Sequence, residues 1–210
     1  MLLSLLAGVG AWWLIGWQAA IVAAALVAAV DTVYRRHHHP SITTWRKGAA
    51  GERATARRLR QLELGGYTVL HDRAIPHSRA NIDHLIIGPT GVFVVDSKKW
   101  HRRTRIRPGA GTLWVGRTPI RKVVGPVLFE TEAVKKALYR ATMHPFEVVA
   151  VIAVHGGRLP KWGAINAGGT TILRASRLNG WITRHPRRYT SAQIATLTAA
   201  AEQALPAYER

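Results

Sequence analysis

The stretch NIDHLIIGPTGVFVVDSK, residues 81–98, decides the architecture. Asn81 to Ile87 reads as one strand, Gly88-Pro89-Thr90-Gly91 as a turn and Gly91 to Lys98 as a second strand. The segment therefore folds back as a hairpin with a four-residue connection. Val92-Phe93-Val94-Val95 is apolar on both faces, which predicts a central position for the second strand. Side chains alternate along a strand, so Asp96 and Lys98 share a face. Folding about the turn brings Asp83 within one or two positions of directly opposite Asp96, a cross-strand spacing of about 5 Å.

That pairing has chemical consequences. Two adjacent carboxylates repel and are unfavourable without a cation or a proton between them. A lysine beside them neutralises part of the charge, and it can position or deprotonate a water or stabilise a phosphorane-like transition state. Carboxylate oxygens suit Mg²⁺ or Mn²⁺, which keep several waters. These are the parts of metal-assisted phosphodiester hydrolysis. An Asp-x-Lys on a strand also reads as a plain salt bridge at a sheet end; Asp83 at a matching height on the neighbouring strand sets the hydrolytic reading beside it.

Working outward, Trp45 to Leu64 has apolar residues at helical spacing and is stopped by Gly65-Gly66. Tyr67 to Leu70 is a short strand, followed by a loop from Ile75 to Arg79. Beyond the hairpin, His101 to Arg107 is a basic stretch, Thr112 to Val115 a strand and Pro126 to Ala141 a helix. Glu147 to Val154 is a buried strand and Thr170 to Leu173 a shorter one. Ser176 to Thr183 and Thr190 to Leu205 read as helices opened by Ser or Thr caps. The expected fold class is α/β, a mixed sheet flanked by helices.

The first 30 residues carry no charge, and the chain has 30 Lys+Arg against 11 Asp+Glu, a formal net charge of +19. Met1 to Val30 is long and apolar enough to cross a bilayer as a helix. Trp12, Trp13 and Trp17 sit mid-run, where interfacial Trp is the usual pattern. One tilted span, a short two-helix hairpin turning at Gly16-Trp17-Gln18, and a cleaved signal peptide remain open; one span is the preferred reading. Arg35, Arg36, Arg46 and Lys47 put the following domain in the cytoplasm by the positive-inside bias. The expected organisation is a membrane anchor over 1–34, a basic juxtamembrane linker over 35–46 and one α/β domain over 47–210. His37-His38-His39 reads as solvated linker, since three adjacent imidazoles cannot face one metal on a helix or strand. Cysteine is absent, which excludes disulfides, thiolate metal sites and a cysteine nucleophile. The positive excess favours polyanions, either nucleic acid or anionic lipid head groups.

Lys47-Gly48-Ala49-Ala50-Gly51-Glu52, Ala80-Asn81-Ile82-Asp83-His84-Leu85, Gly88-Pro89-Thr90-Gly91-Val92-Phe93 and Val95-Asp96-Ser97-Lys98 occur in an order and spacing that resemble the nuclease-related (NERD) domain. The resemblance covers residues 45 to 140. It implies a fold similar to the PD-(D/E)xK nucleases, with a helix, three antiparallel-leaning strands, a helix and a further strand. Residue by residue it implies Glu52 as the helix glutamate, Asp83 as the metal-binding aspartate, and Asp96 with Lys98 as the D-x-K pair. Catalytic Glu52, Asp83, Asp96 and Lys98, with the three carboxylates on Mg²⁺ or Mn²⁺, are the site that follows. Glu52 also reads as a first-turn glutamate favoured by the helix dipole. The sequence departs from the family in having Gly125-Pro126 with Phe129 where a Gln is expected, and in Trp100-His101-Arg102-Arg103 after the D-x-K strand.

His84 points away from Asp83 and reads as a packed or hydrogen-bonded histidine. Lys99, Trp100, Arg102, Arg103 and Arg105 are candidates to track phosphates and stack a base; a solvated charged loop is the alternative. Three functions follow: a membrane-anchored nuclease acting on DNA or RNA, a non-catalytic nucleic-acid-binding or sensing module at the membrane, and a membrane protein whose basic face contacts anionic lipid.

Overall fold

The computed structural model describes Gly16 and residues 42–109, 111–159 and 163–208. The chain divides into two compact units, residues 1–46 and 47–210. The membrane-anchor reading of residues 1–34 and the histidine run lie outside the described residues. Among the described residues no helix is long and apolar enough to cross a membrane.

The elements run α1 (Ile42–Glu63), β1 (Thr68–Ala74), β2 (Asn81–Gly88), β3 (Gly91–Gly109), β4 (Thr112–Val115), β5 (Thr118–Pro119), α2 (Ile120–Thr142), β6 (Val148–Arg158), β7 (Ile165–Ala167), β8 (Thr170–Arg174), a short 3₁₀ turn, α3 (Leu178–Thr183) and α4 (Ser191–Ala204). The sheet order is β1-β2-β3-β6-β8-β7, with β4 and β5 attached to the outer part of β3. β1, β2 and β3 are antiparallel neighbours, whereas β6 lies parallel to β3 and to β8. A mixed sheet results because the β1–β3 connections are short while β3 returns to β6 through α2. β3 is central, as its unbroken apolar run requires.

Alternation sorts the core into two layers. Leu85, Ile87, Val92, Val94 and Ile152 pack under α2 and α4. Ile86, Phe93, Val95 and Val151 pack under α1 and α3, against Leu59, Leu62, Leu178 and Ile182. The hairpin is tighter than its four turn residues suggest. Gly88 pairs with Gly91, leaving only Pro89 and Thr90 as the connection. A side chain at Gly88 would meet the Tyr67 ring at 1.9 Å. The Tyr67 hydroxyl donates to Thr90 Oγ1 (2.9 Å), and Thr90 donates to the Ile182 carbonyl (3.0 Å), which ties the turn to α3.

Of the elements whose limits differ from expectation, three bear on the site. α1 begins at Ile42, so Glu52 lies well inside the helix and no helix-dipole argument reaches it. α2 begins at Ile120 and contains Pro126. A proline inside a helix costs about 3 kcal/mol, but Ile120, Val124, Val127, Val134 and Leu138 form one buried stripe running past it. β3 continues through the basic stretch to Gly109, and the loop expected there is the outer half of a 19-residue strand.

Candidate functional site

β2 and β3 pair from Gly88↔Gly91 down to His84↔Val95. The paired register ends there, and Asp83 and Asp96 are the next residues on the two strands. By alternation from Leu85 and Ile87, and from Val92 and Val94, both aspartates and Lys98 belong to the face covered by α2. The ladder is interrupted at this point on both sides. The β1–β2 register lacks the Asp72/Asp83 rung, and Asp72 holds a left-handed φ of 45°. The Asp83 carboxylate uses the gap: Ser97 N–H donates to Asp83 Oδ2 at 3.0 Å. A local break with a left-handed non-glycine residue is where strain is stored at functional sites.

Asp96 is 3 % exposed. Lys98 Nζ lies 2.7 Å from Asp96 Oδ2. That ammonium is the partner of Asp96 Oδ2, which has no other hydrogen bond. The buried oxygen therefore keeps lone-pair capacity. Burial alone would lower the Lys98 pKa, but Asp96, then Asp83 and Glu130, hold it above its ordinary value. Lys98 is a persistent cation here and no base.

Burial pushes the Asp83 carboxyl up to about 7, with Asp96 and Glu52 adding repulsion, against the Ser97 hydrogen bond and Lys98. Glu52 on α1 is half-buried and lines, with Asp83, a 210 Å³ cavity that also touches His71, Asp72 and His84. Glu130 on α2 is the residue the sequence reading missed. Burial, then the charges of Asp96 and Asp83, push its carboxyl up to about 9. It lies next to Phe129, the position at which the family's Gln is absent, and a glutamate in a helix carries no signal of its own. Phe129 itself is 53 % exposed.

The opposite face of the same strands holds a polar chain. His71 Nδ1 meets His84 Nδ1 (2.8 Å), His84 Nε2 meets Ser97 Oγ (3.2 Å), Ser97 Oγ donates to Thr55 Oγ1 (2.8 Å), and Thr55 Oγ1 meets His155 Nε2 (2.8 Å). Because Ser97 directs its proton to Thr55, His84 Nε2–H is the donor to Ser97. Burial, with His71 and His155 nearby, depresses His84 to about 3 and keeps it neutral. This chain ties α1 to β2, β3 and β6. It fixes Ser97, whose backbone N–H holds Asp83.

The basic candidates form a separate region. Lys99, Arg102, Arg103, Arg105 and Arg107 are exposed along the outer half of β3. Arg105 pairs directly with the exposed Arg158 on β6. Like charges opposite each other destabilise a sheet, and a bound polyanion relieves that repulsion. Trp100 differs from its basic neighbours. It is half-buried, it packs on the core, and a side chain at Gly157 would meet its ring at 3.3 Å.

Carboxylates without thiolates suit a hard divalent cation, which needs one or two protein carboxylates and fills the rest of its shell with water and phosphate. Among the described residues no three acidic or imidazole side chains stand ready around one point. The donor set fits an ion held partly through water.

The family model described as Nuclease-related domain (NERD) matches residues 47–155. An uncharacterized protein of Bacillus anthracis is 32% identical over 83 residues, covering 38% of this chain and 37% of that protein. The match thus spans little more than a third of the relative. No solved structure matches the chain.

Proposed function

The chain belongs to the nuclease-related domain family, and on that premise we propose that it is a divalent-metal-dependent nuclease that hydrolyses phosphodiester bonds in DNA or RNA, with a fold akin to the PD-(D/E)xK enzymes. The observation that supports this reading is the β2–β3 hairpin, whose paired register ends one step short of Asp83 and Asp96, beside a lysine 2.7 Å from the buried Asp96 oxygen.

Asp83 and Asp96 would hold the Mg²⁺ or Mn²⁺ ion, with Glu52 reaching from α1. When bound, such an ion supplies Lewis-acid charge against phosphate oxygens and makes water more acidic. The chain's own residues do the rest. Lys98, held as an ammonium, donates to a phosphate oxygen and offsets the charge that grows there in the transition state. The Ser97 N–H holds one Asp83 oxygen in place, and because the metal-free carboxyl has a pKa of about 7, binding the ion would release a proton there. Lys99, Arg102, Arg103 and Arg105 contact phosphates and position the strand without reading its sequence. Under this reading Met1 to Val30 tethers the enzyme to the cell membrane with the domain on the cytoplasmic side.

The test is cleavage of labelled DNA and RNA by Asp83→Ala and Lys98→Ala variants of the full chain. Loss of cleavage with retained binding supports the assignment; undiminished cleavage in both variants refutes it. A second reading, a nucleic-acid-binding module without catalysis, is favoured by the lack of three convergent donors among the described residues. It requires steeply salt-dependent binding and no cleavage at any metal concentration.

A further inference from the structure

Helix α2 presents one charged residue on its buried stripe. Ile120, Val124, Val127, Thr131, Val134 and Leu138 occupy the other buried positions, and Glu130 stands among them at 8 % exposure. A buried carboxyl is tolerated when it is hydrogen-bonded or paired. Glu130 Oε2 has no hydrogen-bond partner. α2 covers the sheet face to which Asp83, Asp96 and Lys98 belong, and those three residues are the electrostatic neighbours of Glu130. Lys98 partners Asp96 Oδ2 at 2.7 Å, whereas the buried Glu130 Oε2 has no partner. A neutral, purely structural acid would be expected to place its O–H and its carbonyl oxygen in hydrogen bonds. An unsatisfied buried oxygen in the field of two other carboxyls instead suits a cation or a water that a cation holds.

We propose that Glu130 belongs to the cation site, closing it from the α2 side of the sheet while Glu52 approaches from α1. Glu130 takes the ion directly or through one ordered water, which agrees with the lack of three directly convergent donors among the described residues. The inference rests on the proposal that this site binds a divalent cation, and it adds a ligand position that the D-x-K pattern does not contain. It also gives a physical reason for a glutamate on an apolar stripe next to the missing glutamine.

The test is calorimetric titration of the full-length protein with Mn²⁺ alone, comparing wild type with Glu130→Gln. Glutamine keeps the shape and neutrality of a protonated glutamate, so a merely structural Glu130 would leave Mn²⁺ affinity unchanged. The proposal expects affinity to fall by about tenfold to a hundredfold, the usual effect of removing a group that orients or supports a bound metal. The Mn²⁺-induced rise in unfolding temperature should shrink with it. Equal affinity in the two proteins overturns the inference and leaves the aspartate site standing. Absence of Mn²⁺ binding by wild type overturns both. Should Glu130→Gln not fold, Glu130→Met is measured by the same criteria.

Discussion

The two halves of β3 belong to one strand and work by opposite physics. Residues 91–98 are enclosed by β2, β6 and two helix layers, and their polar members, Asp96 and Ser97, are buried. Residues 99–109 run out with exposed arginines and hold to the fold through β4 and the half-buried Ile106. Arg105 lies seven residues beyond Lys98, at most about 23 Å along an extended strand. In the inner half a low-dielectric environment couples three carboxyls and a lysine, because each charge there is felt strongly by its neighbours. In the outer half solvent screens each charge, and only their number matters. On the proposed function, chemistry is confined to where charges interact strongly, and grip is placed where water solvates them.

This contrast can be broken in the inner half first. Asp96→Asn or Lys98→Ala should lower cleavage by at least about a hundredfold to a thousandfold, the loss typical of a preorganised charge at the transition state. Nucleic-acid affinity, measured by filter binding at fixed salt, should change little. The converse holds for Arg103, Arg105 and Arg107 replaced together by Ala. Affinity should fall and the slope of log K against log salt should flatten by about one for each phosphate no longer engaged, with the cleavage rate at saturation preserved.

Stability separates the halves as well. Replacing Gly88 by Ala drives a methyl into the Tyr67 ring and should cost about 1–3 kcal/mol. Replacing Arg103 by Ala should shift urea unfolding by no more than about 0.5 kcal/mol. The acid–base behaviour belongs to the inner half alone. Asp83 and Glu130 have folded-state pKa values of about 7 and about 9, above their ordinary values of 3.8 and 4.5. The folded protein therefore holds protons that the unfolded chain has released. Stability of the metal-free protein should be highest below the ordinary carboxyl range and fall as pH rises through 7 towards 9. Urea midpoints across that range should show the decline, and Asp83→Asn should reduce the part of it below about pH 7. Ser97→Ala tests the polar chain of the inner half. It keeps the N–H that holds Asp83 but leaves His84 Nε2 and Thr55 short of a partner, at about 1–3 kcal/mol in stability.

The inner half was legible in advance because its pattern is self-sufficient. A Gly-Pro-Thr-Gly turn and period-2 alternation fix a register, and the strands pair in it down to His84↔Val95, the step before Asp83 and Asp96. The outer half was not legible as a strand. Lys99 to Gly109 lacks the alternation of a half-buried strand, and its conformation is imposed by β4 and by the end of β6. Glu52 was legible as a residue but not in its position, since the start of α1 at Ile42 carries no acidic first turn to announce it. Glu130 was hidden for a different reason. Its relation to Asp96 is purely tertiary, created when α2 lies across the sheet, and no spacing along the chain encodes it. The same holds for the chain from His71 through Ser97 to His155, whose members come from five elements far apart in sequence.

The central claim is that the buried carboxylates of the inner half hold a divalent ion against a phosphodiester. The most direct measurement is cleavage of end-labelled DNA and RNA by the full-length protein across a Mg²⁺ and Mn²⁺ titration, run beside Asp96→Asn. The account predicts cleavage that rises with metal, vanishes with chelator and is lost in the variant, while both proteins bind the substrate equally. Cleavage that ignores the metal, or that survives unchanged in Asp96→Asn, would contradict it.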